Sequence, residues 1–411
     1  MHFTPNSARQ CFPALGQTFN DKPVVFLDGP GGSQVPSSVL EAITQYLGRY
    51  NSNLGGHYFS SVYTVDLMTK ARAMAAQFLN AEGSDNIVFG ANMTSLTFQF
   101  SRTISRDWLP GDEVIVTALD HYSNVSSWQQ AADDKGAIVK QVRVDERDCT
   151  LDYEHFESLL TANTKLVAVT YASNTTGSVT DLARIVAAAK KVEAQVYVDA
   201  VHFAPHALID VQRIGCDYLV CSAYKFFGPH LGIAYVSPAR IQSLVPYKVE
   251  PATDLGPGRF ETGTQSFEAL AGLIAAIEYL AHWGQGHELR ERLVSASSLI
   301  AEHEEQLSRY FLERLCRLDY LSLFGCSNAD HTQRTPTFAL RSDVYSPDYM
   351  AKALGEQNIC VWNGHFYALG LVRQLGIEES GGVLRVGFMH YNTLADVDMF
   401  FDAIELLHRG D

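Results

Sequence analysis

Two short spacings in this sequence carry groups able to do covalent chemistry. Asp199 and His202 stand three residues apart just after the apolar run Gln195–Asp199 (QVYVD). Ser222 and Lys225 stand three apart just after Tyr218–Cys221 (YLVC). Three further runs end alike. IVFG (87–90) leads into Asn92, Met93 and Thr94, EVIVT (113–117) into Asp120 and His121, and LVAVTY (166–171) into Ser173 and Asn174. An amine such as Lys225 condenses with a carbonyl. A carboxylate such as Asp199 keeps a heteroaromatic nitrogen protonated, which makes the ring an electron sink. The Met93 and Thr94 amides at a helix start offer donors and a favourable dipole to a phosphate, and the hydroxyls of Thr94 and Ser222 add to that cradle. The imidazole of His121 suits stacking on a ring face, and His202 suits reaching a ring oxygen. One cofactor asks for all of these, pyridoxal 5′-phosphate. Singly, each residue has an ordinary reading: a solvated lysine, an aspartate or threonine cap, a loop histidine. The recurrence at successive strand ends carries the inference.

These residues need a sheet to hold them. The runs alternate with helical stretches at 94–106, 124–135 and 181–192, and IAYV (233–236) adds another strand. Strands separated by helices imply right-handed crossovers and a mostly parallel α/β sheet covered on both faces. Ligands of such sheets sit beyond the carboxyl ends of the strands. The pattern changes near residue 265. We expect an N-terminal segment at 1–19, a large α/β domain at 20–265, a connecting helix at 266–289 and a smaller α+β domain at 290–411.

Composition narrows the alternatives. The 411 residues are 46% apolar and 19% charged, enough to build a sizeable core. The net charge of −15, with no basic run, disfavours nucleic acid and anionic membranes as partners. Seven cysteines without a CxxC argue against a disulfide framework or a zinc ribbon. No metal is expected. The N-terminus lacks the apolar stretch of a secretory signal, so a cytoplasmic location is expected. GPGGSQV (29–35) is a glycine cluster without the dinucleotide fingerprint, which sets a nicotinamide dehydrogenase aside.

The stretches VYVDAVHFAPH, CSAYKFFGPHLGIAYV, RFETGTQ and LRVGFMHYNT resemble the cysteine desulfurase-like branch of the class V aminotransferases, fold-type I pyridoxal-phosphate enzymes. The resemblance runs from FLDGPGGSQVP (26–36) to LRVGFMHYNTLADVD (384–398). It implies a seven-stranded, mostly parallel sheet between helices. It implies that Lys225 forms the Schiff base, Asp199 pairs with the ring nitrogen and His121 stacks and handles protons. Asn174 and His202 then approach the ring oxygen, with Met93, Thr94, Ser222 and Tyr224 around the phosphate. Thr264 matches a residue that reaches the neighbouring subunit's phosphate, implying a homodimer. Arg385 matches the arginine that grips a substrate carboxylate in a bidentate fork. His57, in NLGGHYFSS, is a further candidate substrate contact.

The departures decide the chemistry. Where desulfurases carry Arg-x-Gly-His-x-Cys, this chain reads Trp362-Asn363-Gly364-His365-Phe366-Tyr367. A tyrosine cannot accept sulfur as a persulfide, and Tyr367 becomes a candidate substrate contact. Tyr224 and His202 stand where the family often has histidine and glutamine. Cys360, Cys216 and Cys221 lie in or beside apolar runs and read as core thiols. The expectation is a pyridoxal-phosphate enzyme on a small amino acid, with β-elimination from cysteine or a related substrate ranked first. Transamination, epimerisation, desulfuration through another cysteine, and a non-catalytic cofactor-binding protein remain as alternatives.

Overall fold

The computed structural model describes residues 3–409. Seven strands form the large sheet: β1 (Ile87–Gly90), β2 (Glu113–Thr117), β3 (Ile138–Val142), β4 (Thr164–Thr170), β5 (Gln195–Asp199), β6 (Tyr218–Ser222) and β7 (Gly232–Val236). Their order is β1-β7-β6-β5-β4-β2-β3. Pairing is parallel from β6 through β5, β4 and β2 to β3. Only β7 runs against its neighbours β1 and β6. The link from β6 to β7 is too short for a helical crossover, which forces that reversal. Lys225 rides on this link.

Successive strand residues serve opposite faces. Val167, Val169, Val196 and Val198 join one core with Ile185 and Ala189 of the helix Leu182–Lys191. Leu166, Ala168 and Tyr197 join another, with Leu96 and Phe100 of α1 (Met93–Ile104) and Trp128 of α2 (Ser123–Asp133). Both faces are therefore covered, as near-continuous apolar strands require. The sequence pattern missed β3, whose residues IVKQV are half polar because it closes one edge.

A four-stranded antiparallel sheet follows, in the order β8-β9-β11-β10, from β8 (Leu321–Phe324), β9 (Thr337–Ser342), β10 (Trp362–Gly364) and β11 (Val383–Gly387). Phe311, Phe338, Phe388, Phe400 and Phe401 fill its core. The register sets Trp362 opposite Arg385. Val25–Phe26 pairs in parallel with Ile359–Cys360, which delivers Asp28 and the glycine cluster to this sheet. Among the described residues, no helix is long and apolar enough to cross a membrane.

Candidate active site

Five strand ends converge on one cavity of about 530 Å³. Met93, Thr94, His121, Asn174, Asp199, His202, Ser222, Tyr224 and Lys225 all border it.

The Lys225 ammonium group is buried and donates to the Pro30 carbonyl. Burial, and then the charge of Arg385, lower its pKa to about 7, against the pull of Asp199 and Asp28. The amine is thus available unprotonated near neutrality. Asp199 is pushed up to about 6 by burial, opposed by the Val201 amide at 2.9 Å and by Lys225. A cation held beside it would pull it back toward the carboxylate form. Arg385 is buried and lowered to about 9, chiefly by desolvation. Its Nη1 donates to the Asn174 carbonyl at 2.9 Å, while its Nε has no partner. The Asn174 Oδ1 and the Asp28 Oδ1 are also buried without partners. Buried orphans are costly and normally satisfied. Here a guanidinium fork and an amide oxygen stand ready for a ligand beside a lysine and an aspartate. Gly31 keeps that place open, since a Cβ there would lie 3.2 Å from Trp362 Nε1 and 3.5 Å from Arg385 Nη2.

His121 has a defined tautomer. The Ser123 amide donates to its Nδ1 at 3.1 Å, and the Ser123 hydroxyl lies at 2.7 Å. A nitrogen that accepts a backbone N–H carries no proton, so neutral His121 holds its hydrogen on Nε2. Burial, then Lys225 and Arg385, lower its pKa to about 4. The turn beneath is anchored by Asp120, which accepts from Thr117 and, at 2.8 Å, from Asn124. Burial pushes Asp120 up to about 8. The His202 Nε2 lies between the Thr335 and Thr337 hydroxyls, at 3.0 and 3.1 Å.

At the start of α1, Asn92 caps the helix by accepting from the Ser95 amide. The Met93 amide, expected to serve a phosphate directly, instead donates to Ser222 Oγ at 2.9 Å. That contact ties α1 to β6 and leaves the Ser222 hydroxyl proton free to donate. The Thr94 amide and hydroxyl remain as the helix's own donors at this end. Gly232 permits the arrangement, because a Cβ there would lie 2.5 Å from the Asn92 carbonyl carbon.

Four expected residues are not among those bordering this cavity: Arg385, described above, and Thr264, His57 and Tyr367. Thr264 borders a second cavity of about 930 Å³, which meets the first at Thr94, Ser95 and His230. His57 is exposed and borders neither cavity, so one chain does not bring it to the site. Tyr367, expected against substrate, borders neither cavity either; its ring stacks on His121, with centroids 5.1 Å apart and planes at 22°. Its neighbour Phe366 covers the Arg385 guanidinium at 4.0 Å. Both residues have left-handed backbones, with φ of 50° and 60°. The Asn174 side-chain amide holds the Phe366 carbonyl at 2.9 Å, and the Tyr122 amide holds that of Tyr367 at 2.8 Å. The segment standing where a reactive cysteine was sought is an aromatic wall bonded to the site. Cys360 is half-buried and pushed up to about 11, mainly by burial. Burial also raises Cys216 and Cys221.

Sequence reasoning missed Asp28, Ser123 and His230. Asp28 immediately precedes the glycine cluster at 29–35, which drew attention for its glycines. Ser123 lies two residues from His121, and its place in the DHYSN run was its only signal.

The profile of the family described as aminotransferase class-V matches residues 25–400. A Synechocystis protein described as "Probable cysteine desulfurase" is 31% identical, with 98% of this chain and 95% of that protein covered. The Gibberella zeae "Aminotransferase-like protein FGM3" is 32% identical, with 98% of each chain covered. The solved apo structure of a cysteine desulfurase from Thermococcus onnurineus NA1 superposes with a TM-score of 0.89 at 25% identity, covering 100% of both chains.

Proposed function

This chain belongs to the class-V aminotransferase family and is a pyridoxal 5′-phosphate-dependent enzyme similar to cysteine desulfurases, and from that membership and the site's geometry we propose that it breaks the Cβ–S bond of cysteine or a related small amino acid by β-elimination, without a protein persulfide. One observation carries the reading. By the resemblance of segment 362–367 to the desulfurase pattern, the sulfur-accepting position falls on Tyr367, and that ring is stacked on His121.

When bound, the cofactor supplies a carbonyl for the substrate amine and a ring that accepts the electron pair released at Cα. Arg385 holds the substrate carboxylate with its unpartnered Nε, while Nη1 stays on Asn174 and fixes the fork. Lys225, with its pKa near 7, takes the Cα proton as a neutral amine. Asp199 keeps the ring nitrogen protonated from its place at the end of β5. His121, its hydrogen on Nε2 because the Ser123 amide donates to Nδ1, would face the ring of a bound cofactor. The Cα–H and Cβ–S bonds break, and the sulfur leaves with a proton. With one water, cysteine gives sulfide, pyruvate and ammonia. A desulfurase instead moves sulfur onto its own thiol and releases alanine.

The experiment is a product assay on purified holoenzyme with L-cysteine and S-substituted cysteines. Equal sulfide or thiol and pyruvate are expected; alanine with protein-bound sulfur would refute the reading. The aminotransferase-like relative favours a second reading, transamination, which conversion of bound cofactor to its amine form, with no sulfide, would establish.

A homodimer accompanies this reading. Tyr58, Phe59 and Val62, close in sequence to His57, are exposed apolar side chains. In a dimer they are covered, His57 is carried toward the partner's site, and Thr264 serves the partner's phosphate. Sedimentation gives the mass that decides it.

A further inference from the structure

We propose that His230 is a ligand of the cofactor phosphate, supplying at that end of the cavity the imidazole that Tyr224 lacks. The cavity fixes where the phosphate end is. Thr94, Ser95 and His230 border both this cavity and its 930 Å³ neighbour, so they mark the junction between the two. Thr94 and Ser95 open α1, whose dipole and free amide favour an anion. His230 therefore shares the phosphate end with them.

The charge inventory calls for such a group. Lys225 is the only ammonium or guanidinium group among the residues bordering the cavity, and the cofactor's carbonyl consumes it. Arg102 borders the second cavity alone. The Met93 amide is already spent on Ser222. A phosphate at this end meets the Thr94 amide, the hydroxyls of Thr94, Ser95 and Ser222, and one side chain able to carry positive charge, His230. Hydrogen bonds from an imidazolium to a phosphate are charge-assisted and stronger than those from hydroxyls.

The ring is also held for the task. It stacks on Tyr224 with centroids 4.9 Å apart and planes at 14°. Tyr224 in turn packs against Gly32, where a Cβ would lie 3.4 Å from Cδ2, and the Lys225 Nζ sits 4.9 Å over its ring. Tyr224 thus acts as the platform that holds the His230 ring at this end of the cavity.

The test compares binding of pyridoxal 5′-phosphate and of pyridoxal, which lacks the phosphate, to apoprotein of the native sequence and of His230→Ala, followed by absorbance. His230 is exposed, and circular dichroism checks that the variant folds. The expected result is a Kd for pyridoxal 5′-phosphate raised about tenfold or more in the variant, with pyridoxal binding unchanged. Inorganic phosphate should also compete less well for the variant. An unchanged Kd for pyridoxal 5′-phosphate, or equal weakening of both ligands, would overturn the assignment. The readout is binding, so it stands whether the reaction is elimination or transamination. A native protein that takes up no pyridoxal 5′-phosphate would defeat this proposal and the family chemistry together.

Discussion

The ring of Tyr367 lies on the ring of His121, 5.1 Å between centroids and 22° between planes. The contact joins two segments far apart in the chain. The backbone repeats it, since the Tyr122 amide donates to the Tyr367 carbonyl at 2.8 Å. Tyr367 therefore positions the imidazole.

Aromatic pairs of this kind contribute about 0.5–1.5 kcal/mol. Tyr367→Ala should lower kcat by about three- to tenfold and leave KM for the amino acid nearly unchanged. Tyr367→Phe, which keeps the stack and removes the hydroxyl, should behave as the native enzyme. Steady-state kinetics of both variants separate a positioning ring from a reacting phenol.

Lys225 sets the pH dependence of cofactor loading. Burial and Arg385 place its pKa near 7 rather than at the usual lysine value. The neutral amine condenses with the cofactor, so the rate of uptake by apoprotein should rise as pH passes upward through about 7. Removing the positive neighbour in Arg385→Gln should shift that midpoint up. Asp199→Asn removes an attraction that favours the charged amine and should shift it down. Stopped-flow absorbance across pH reads all three.

Arg385 offers a planar fork, with Nη1 committed to Asn174 and Nε free. Lysine cannot reproduce that geometry. Arg385→Lys should lower kcat/KM by roughly 10- to 100-fold, the value of a charge-assisted pair, while cofactor absorbance stays native.

Gly232 lets the start of α1 approach β7. Gly232→Ala puts a Cβ against the backbone of Asn92, 2.5 Å from its carbonyl carbon. Overpacking of this kind costs about 1–3 kcal/mol. The variant should melt earlier and bind pyridoxal 5′-phosphate more weakly, both measurable by thermal unfolding with and without the cofactor.

Much of this was legible in the sequence, because strand ends of a parallel sheet gather on one edge. Asp199, Ser222 and Lys225 follow apolar runs closely, so local pattern was enough to bring them together. What escaped depended on distant approach. Asp28 reaches the site only because Val25–Phe26 pairs with Ile359–Cys360. The Met93 amide looked free at a helix start, yet Ser222 takes it across the strand gap. Tyr367 read as a substrate contact because nothing local shows which ring it faces. The edge strand β3 escaped for a physical reason too: with one side unpaired it has no need of an apolar pattern.

The central claim is that sulfur leaves without passing through a protein thiol. Holoenzyme turning over L-cysteine without added thiols gives the decisive measurement, sulfide, pyruvate and alanine in solution together with the intact mass of the protein. The account predicts sulfide and pyruvate in equal amounts, no alanine, no added sulfur on the protein, and the same outcome for Cys360→Ala. Alanine as the product, with a sulfur atom retained on a cysteine and lost in Cys360→Ala, would contradict it.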